Sequence, residues 1–214
     1  MEQNMGVLWK RVLGVNLVVI VVLFAVSCKK DVSSLNPNAI ISPSQVIQPT
    51  KPDQISQPSP AILEQYLIPK DQRVAGKDFE LPTLDGKKFQ LNSLKGSIVL
   101  IDFSTTWCTW CTTQEPHLDK LYEDYHDQSF EIISIFCKEN KQTVLSKYPT
   151  GKHTYPILLD DGGFVSSNQY GVQGYPYYLL LDKQGNIAYY QRGYEEKMYD
   201  IISNLIEYLN TESE

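Results

Sequence analysis

Two cysteines separated by two residues are the part of this sequence best suited to chemistry. Cys108 and Cys111 lie in the segment Trp107-Cys108-Thr109-Trp110-Cys111. Such a pair can belong to a zinc site, be a structural pair of thiols, or act as a redox dithiol. A closed structural zinc site needs four ligands, and the sequence has neither a second Cys-x-x-Cys pair nor a spaced pair of histidines. We therefore interpret the pair as a redox dithiol.

The elements on either side of the pair support this interpretation. An apolar, β-branched run at residues 97–103 precedes it, and a helical pattern at residues 112–125 follows. Free backbone N–H groups and the dipole at a helix N-terminus stabilise a thiolate, so the pKa of Cys108 should lie below the free value of about 8.5. We expect Cys108 to attack a disulfide, and Cys111, one turn further and less exposed, to resolve the mixed disulfide.

Composition narrows the classes of partner. The chain has 214 residues, a net charge of −6 and four cysteines. This length allows one domain with appendages, and so few cysteines do not make a disulfide scaffold. No basic stripe is visible, so we expect no nucleic-acid partner.

Residues 1–28 have the pattern of a targeting segment. Lys10 and Arg11 precede an apolar run at residues 12–26, which is shorter than the roughly 20 residues that a spanning helix needs. The run ends in Ala-Val-Ser before Cys28, which resembles a bacterial lipoprotein signal. By that resemblance Cys28 is lipidated; the alternative is an uncleaved anchor in which Cys28 is incidental. Both place the remaining chain outside the cytoplasm and tied to a membrane, in the cell envelope.

Residues 29–70 form a predicted linker rich in Pro, Ser and Gln. Frequent prolines interrupt helices and sheet ladders alike, so an extended tether is expected. One apolar patch, residues 62–68, could dock on the domain, but we favour a tether without a recognition role.

Residues 71–214 form the predicted folded domain. Alternating residues around Asp85-Gly86 indicate a short hairpin, and the nearly all-apolar run at residues 97–103 indicates a strand that is covered on both faces. Further strands are predicted at residues 131–136, 156–159, 177–181 and 187–191, a loop with a short helix at 162–170, and helices at 140–147 and 195–209.

Four features together resemble the thioredoxin fold, most closely its TlpA/ResA-type membrane-tethered thiol-disulfide oxidoreductases. They are Asp85-Gly86-Lys87 with Leu91 and Leu94-Lys95-Gly96; Phe103 with the two cysteines; Glu115-Pro116; and Tyr170-Gly171-Val172-Gln173-Gly174-Tyr175-Pro176 with Asp182 and Gly185. The resemblance covers residues 73–210. It implies an α/β protein with a central mixed sheet flanked by helices and an N-terminal β-hairpin extension.

The resemblance also assigns site residues. Cys108 matches the nucleophile, Cys111 the resolving cysteine, and Pro176 a cis-proline that lies against the dithiol and shapes a substrate groove. Tyr175, just before it, would face the substrate. Trp107 and Trp110 complete the expected groove, with Trp107 packed beside the dithiol and Trp110 exposed for partner contact.

Asp102 lies six residues before Cys108 and matches the buried aspartate of cytoplasmic thioredoxins. An apolar strand should raise its pKa by desolvation, and such a carboxyl group could accept the proton of Cys111 during resolution. The alternative is an aspartate at the strand end that points to solvent.

Three positions need separate interpretation. The family usually has Glu where this chain has Gln114, and the acid follows as Glu115. A shift of one residue rotates a helical side chain by about 100°, so Glu115 is not expected to reach the dithiol. The intervening Thr109-Trp110 lacks the proline that is frequent there. Both departures should change the redox potential, in a direction that the sequence leaves open. Cys137 is expected to be a small core hydrophobe rather than a third redox thiol.

The expected function is thiol-disulfide exchange on protein substrates, run as a reductase and without a cofactor or metal. A membrane-embedded electron donor such as a DsbD/CcdA-type protein would restore the dithiol. One alternative is an oxidase or isomerase of secreted proteins. Another is a copper-binding module that uses Cys108, Cys111 and His153. A peroxidase is less favoured, because the cysteine loop typical of that class is missing from the sequence.

Overall fold

The structure, a computed structural model, describes Leu63 and residues 65–212. The predicted targeting segment, Cys28 and most of the predicted linker lie outside the described residues. Within the described part of the chain, no helix combines the length and apolar character needed to cross a membrane.

The described residues form seven strands and three α-helices. The strands are β1 (Glu80–Pro82), β2 (Lys88–Gln90), β3 (Ile98–Ser104), β4 (Phe130–Cys137), β5 (Ile157–Asp160), β6 (Tyr177–Leu181) and β7 (Ile187–Arg192). The α-helices are α1 (Thr109–Tyr125), α2 (Lys141–Lys147) and α3 (Met198–Thr211). Short 3-10 helices span Lys70–Gln72, Leu91–Leu94 and His126–Gln128, and a π-helix spans Phe164–Gln169.

Five strands make one mixed sheet in the order β5-β4-β3-β6-β7. β3, β4 and β5 run parallel, whereas β6 and β7 are antiparallel to their neighbours. β1 and β2 form a separate antiparallel pair. The predicted thioredoxin-like architecture, with a central mixed sheet flanked by helices, is confirmed.

β3 is central, and all seven of its residues are buried. Side chains alternate between the two faces of a strand, and both faces of β3 are covered. Ile98 and Leu100 belong to the cluster that includes apolar residues of α1 and α3, Leu118, Leu121, Ile202 and Leu205 among them. Val99, Ile101 and Phe103 belong to the opposite cluster, with Phe79, Leu91 and Val165. The two-sided burial explains why the run is almost entirely apolar.

Two helices begin at residues that differ from the predicted ones. α1 starts at Thr109, three residues before the helical pattern that begins at residue 112, and Cys108 lies at the helix N-terminus as predicted, with its sulfur capping the first turn. α3 starts at Met198 rather than at residue 195. The N–H of Glu195 is instead turned toward Gln114, and the Glu195 carboxylate accepts a hydrogen bond from the N–H of Lys197.

The chain packs on the domain before the predicted domain start at residue 71. Leu63, Tyr66 and Leu67 lie against the core cluster on the α1 and α3 side of the sheet. The N–H of Ile68 donates to the carbonyl of Ala188 at 2.8 Å. Part of the apolar patch at residues 62–68 is thus docked, where the sequence pattern favours a plain tether.

Arg73 joins three distant parts of the chain. Its guanidinium lies 3.3 Å from Asp182, after β6, and 2.6 Å from Glu212, at the end of α3. Its Nε donates to the carbonyl of Ile68 at 3.0 Å. The side chains of Arg73 and Asp182 are almost completely buried. These contacts of Arg73 join the segment before β1 to the end of β6 and the end of α3.

Candidate active site

The two cysteines of the Cys-x-x-Cys segment lie where β3 leads into α1. They are joined as a disulfide with their Cα atoms 5.3 Å apart. Cys108 is the N-cap of α1, and its sulfur accepts the N–H of Cys111 at 3.0 Å. Both are buried, with 5% and 3% of their surface exposed. Burial alone therefore does not separate their roles, but the position of Cys108 at the helix N-terminus does favour its thiolate.

The loop before Cys108 is held by two charged side chains that the sequence did not single out. The Glu139 carboxylate accepts the N–H of Thr106 at 2.7 Å and its hydroxyl at 2.5 Å. Lys147 donates to the carbonyl of Thr106 at 2.7 Å and to the hydroxyl of Thr112 at 3.0 Å. Glu139 follows β4, and the carboxyl ends of parallel strands share one edge of a sheet. The position of Glu139 directly after a predicted strand was therefore the sequence signal that could have identified it.

Each tryptophan beside a cysteine contacts a tyrosine from another segment. The ring of Trp107 meets Tyr175 edge-on at 5.8 Å between centroids, and Trp110 lies over Tyr194 at 4.9 Å. Trp107 is 71% exposed and Trp110 is 57% exposed. The exposure of Trp110 was expected, whereas the prediction that Trp107 packs beside the dithiol is wrong. The approach to the dithiol is therefore aromatic and open to solvent.

The Tyr175–Pro176 peptide bond is cis, as the resemblance implies. Tyr175 and Trp107 both line a cavity of about 550 Å³ with Thr105, Cys137, Lys138, Val172 and Gln173. The structure thus brings together two of the three predicted groove residues. Trp110 is not among the residues that line this cavity.

Asp102 is buried in β3, so the alternative of an aspartate that points to solvent is wrong. One carboxylate oxygen accepts the hydroxyl of Ser134 at 2.7 Å. The other oxygen has no hydrogen-bond partner among the described residues, and neither has the hydroxyl of Tyr178, which stands opposite Asp102 in the sheet register. Burial raises the pKa of Asp102 to about 7; the Ser134 hydrogen bond opposes the rise, and the charge of Glu115 adds to it.

Gln114 replaces the family's acid with a buried amide. Its Nε2 donates to the carbonyl of Glu195 at 3.2 Å, and its Oε1 accepts the N–H of Glu195 at 3.4 Å. Glu115 accepts the hydroxyl of Tyr148 and the ammonium of Lys152, the latter at 2.8 Å. Gln114 therefore links α1 to the segment before α3. The Glu115 carboxylate instead contacts Tyr148 and Lys152.

Cys137 is buried at the end of β4 and has no disulfide partner. Its sulfur donates to the carbonyl of Ile135 at 3.3 Å. Burial raises the pKa of this thiol to about 12, so it is protonated at neutral pH. These surroundings are those of the small buried hydrophobe that was predicted.

His153, the histidine that a copper site would need, contacts other side chains. Its Nδ1 lies 2.7 Å from an Asp119 carboxylate oxygen, and its ring stacks on Tyr155 at 5.0 Å. Over Leu63 and residues 65–212, no group of three or more His, Cys, Asp or Glu side chains is placed to hold a metal ion.

Comparisons with known proteins agree with the fold and the dithiol. The model of the AhpC/TSA family matches residues 73–190. A thiol-disulfide oxidoreductase ResA from Bacillus thuringiensis subsp. konkukian is 30% identical over 135 residues, which cover 62% of this chain and 78% of that protein.

Solved structures give the same picture. A structure described as the thiol:disulfide interchange protein DsbE of Chlorobium tepidum covers 64% of this chain and 96% of its own, with a TM-score of 0.60 and 21% identity. That likeness concerns the fold alone. The pneumococcal exposed lipoprotein thioredoxin of Streptococcus pneumoniae covers 62% of this chain and 99% of its own, with a TM-score of 0.54 and 25% identity.

Proposed function

This chain is a member of the AhpC/TSA family of thioredoxin-like proteins, and from that premise we propose that it is an extracytoplasmic enzyme that reduces disulfides in protein substrates. The class of activity, a thiol-disulfide oxidoreductase, is the one that its ResA relative carries by name. The single observation that carries the proposal is the Cys108–Cys111 pair at the N-terminus of α1. Helix dipole and free N–H groups there stabilise the thiolate that starts the exchange.

The reaction is a pair of thiol-disulfide exchanges. The Cys108 thiolate attacks one sulfur of a substrate disulfide, forms a mixed disulfide and releases the other sulfur as a thiolate. Cys111 then attacks the sulfur of Cys108, which releases the second substrate thiol and leaves the Cys108–Cys111 disulfide. Asp102 accepts the proton that Cys111 loses. A membrane-embedded donor of the DsbD/CcdA type then returns two electrons to the pair.

The exposed aromatic residues support a protein substrate. The exposed Trp107 and Trp110 are the chain neighbours of Cys108 and Cys111, and Tyr175 contacts Trp107. Aromatic side chains dominate the energetics of protein interfaces. The cavity lined by Trp107 and Tyr175 would hold the substrate segment that carries the reacting disulfide.

Variants of the cysteines test the mechanism. Insulin reduction by dithiothreitol should lose its enzyme-dependent rate in Cys108→Ala. Cys111→Ala should accumulate a mixed disulfide with a protein substrate, because the resolving thiol is missing. Cys137→Ala is the matched control and should keep the rate of the unaltered chain. Equal rates in all three variants would remove the enzyme assignment.

The direction of the reaction is tested by the reduction potential of the Cys108–Cys111 pair, titrated with glutathione or dithiothreitol. We expect a value near or below about −250 mV, close to that of thioredoxin. A value above about −150 mV would instead indicate an oxidase or isomerase. The absence of any reversible two-electron couple would bring the copper-binding hypothesis forward.

Attachment to the membrane through a lipidated Cys28 belongs to the same proposal. It is supported by the small residues before Cys28 and by the description of the pneumococcal structural neighbour as an exposed lipoprotein. Labelling of cells with radioactive palmitate should mark the unaltered chain and not Cys28→Ala. Equal labelling of both would contradict lipidation at this residue.

A further inference from the structure

Glu115 is a mostly buried carboxylate that the reaction above does not use. Its side chain is 14% exposed, and it lies 2.8 Å from the ammonium of Lys152. The hydroxyl of Tyr148 donates to its other oxygen, and Nε2 of His153 lies 3.7 Å away. Donors on both oxygens hold this carboxylate in one place, so its charge acts on a fixed part of the protein.

That place is one helical turn beyond the resolving cysteine. Cys111 and Glu115 are four residues apart in α1, and side chains at this spacing lie on the same face of a helix. Cys111 and Leu118 are buried on this face, and Leu118 packs in the cluster on the same side of the sheet as Leu100 of β3. Asp102 is two residues after Leu100, so its side chain projects to that same side. Glu115 of α1 and Asp102 of β3 therefore lie on the same side of the sheet, where α1 packs on β3.

Glu115 is the charged member of the set of groups around Asp102. The other described groups in electrostatic or hydrogen-bond contact with Asp102 are neutral: Ser134 and the protonated Cys137 thiol on β4, Tyr178 on β6, Tyr155 before β5, and Tyr148 at the end of α2. Burial raises the pKa of each of these tyrosines, which keeps them protonated. A negative charge near a buried carboxyl group disfavours its ionisation, and Glu115 acts on Asp102 in this way.

We propose that Glu115 is a positioning residue that makes Asp102 hold its proton more tightly, and that Lys152 limits this effect by pairing with the Glu115 carboxylate. The inference rests on the proposed function, in which Asp102 accepts the proton of Cys111. It gives a role to the acid that is displaced by one residue from the position usual in the family. The negative charge of Glu115 lies one helical turn beyond Cys111, and it affects the dithiol indirectly, through the protonation of Asp102.

Substitutions of the two members of the ion pair should shift the midpoint for ionisation of Asp102 in opposite directions. Glu115→Gln removes the negative charge, so the midpoint for ionisation of Asp102 should move to lower pH. Lys152→Met leaves the Glu115 charge uncompensated, so the midpoint should move to higher pH. Each shift should be a measurable fraction of a pH unit, because burial affects the pKa of Asp102 more than the Glu115 charge does. Lys152 is one-third exposed, and its ammonium lies 4.1 Å from the centre of the Tyr148 ring, so methionine is chosen because it keeps an unbranched apolar side chain beside that ring.

The measurement is an NMR titration of the carboxyl carbon of Asp102 in the oxidised full chain, labelled at aspartate. Glu123→Gln is the matched control, because Glu123 is an exposed carboxylate further along α1, and it should leave the midpoint unchanged. Shifts of the same sign in Glu115→Gln and Lys152→Met, or no shift in either, would overturn the proposal.

A kinetic readout separates this inference from the proposed function. The pH dependence of mixed-disulfide resolution should move with the Asp102 midpoint in both variants. Opposite NMR shifts with an unchanged rate profile would uphold the charge coupling and reject Asp102 as the proton acceptor. A structural role of Glu115 alone would lower stability without moving either midpoint.

Discussion

Asp102 is a carboxyl group placed where a carboxylate is poorly solvated. The flanking β3 residues are apolar, one carboxyl oxygen has only the Ser134 hydroxyl, and the other has no hydrogen-bond partner within the described residues. Its pKa lies near 7 in the folded chain, against an ordinary value of 3.8. A group that changes protonation near neutral pH is suited to exchange protons with a thiol at working pH.

The free energy of unfolding should depend on pH, because the pKa of Asp102 differs between the folded and the unfolded chain. Between about pH 4 and pH 7 the unfolded chain has lost the Asp102 proton and the folded chain keeps it, so the free energy of unfolding should fall as pH rises, by on the order of 4 kcal/mol. Asp102→Asn cannot ionise and should lack this fall. Urea denaturation of the oxidised proteins across this range measures it.

The control for this prediction is Asp161→Asn, at an exposed aspartate. It should follow the pH dependence of the unaltered chain. If Asp102→Asn and the unaltered chain gave parallel curves, Asp102 would have an ordinary pKa in the folded protein, and its role as proton acceptor would lose support.

The thiol of Cys137 should be unreactive in the folded protein. Burial holds its pKa at about 12, so at neutral pH almost no thiolate is available. Iodoacetamide should label it at least about 1000-fold more slowly than a free cysteine while the other pair is oxidised, and rapidly in urea. Cys137→Ala should leave the reduction potential of the dithiol unchanged. Rapid labelling of the folded chain would restore the hypothesis of a third redox thiol.

At the scale of elements, the sequence predicts the strands well and the helix starts less well. The predicted strand at residues 97–103 lies one residue from the observed Ile98–Ser104, because a continuous apolar run records burial on both faces. The helical pattern is visible only from residue 112, because cysteine is not among the usual capping residues, but the predicted position at the helix N-terminus is confirmed for Cys108. Its sulfur accepts the Cys111 N–H here, which no propensity scale describes.

The partners in contacts between distant elements could not be predicted from the sequence, although the position of Glu139 after β4 indicates the edge of the sheet at which it lies. Residue types and spacing identify Cys108 and Cys111, which lie between a recognisable strand and helix, whereas Asp102 was singled out by the resemblance to thioredoxins. The hydrogen bond between Glu139 and Thr106 joins residues 33 apart, and the one between Gln114 and Glu195 joins residues 81 apart. Such pairs depend on the final packing of α1 and its neighbours, which local patterns do not encode.

Gln114 joins α1 to the segment before α3, and this link is testable. Gln114→Ala should lower the free energy of unfolding by roughly 1–3 kcal/mol, because it leaves backbone groups of Glu195 without their buried partner. Urea denaturation measures the loss. Gln142→Ala, at an exposed glutamine of α2, should change stability far less. Equal effects would mean that the two hydrogen bonds of Gln114 contribute nothing beyond helix propensity.

At the scale of the molecule, the segment around Tyr66 belongs to the folded domain. Leu63, Tyr66 and Leu67 pack on the core, and the ring of Tyr66 meets Tyr189 edge-on at 6.1 Å. The apolar residues of this segment are visible in the sequence, but their spacing does not show whether they find a partner. Only the surface that α3 and β7 present decides that.

Shortening the chain tests this docking. A chain that begins at residue 71 should be less stable than one that begins at residue 60 by roughly 2–4 kcal/mol, because three partly buried apolar side chains are lost. Thermal or urea unfolding of the two chains gives the difference. Their reduction potentials should agree, since the lost residues do not line the site. Equal stabilities would show that the segment contributes no net free energy.

The junction at Arg73 has a mechanical consequence. β6 begins beside Phe103 and ends beside Val99, so Asp182 and Arg73 lie at the edge of the sheet opposite the dithiol, separated from it by one strand length of roughly 20 Å. A force on the chain before Leu63 would first load the docked residues Leu63, Tyr66 and Leu67, and then the junction of Arg73 with Asp182 and Glu212. Under the proposed attachment through Cys28, a force on the chain would therefore enter the domain at the ends of the strands away from the dithiol, and would leave the dithiol free to face substrates.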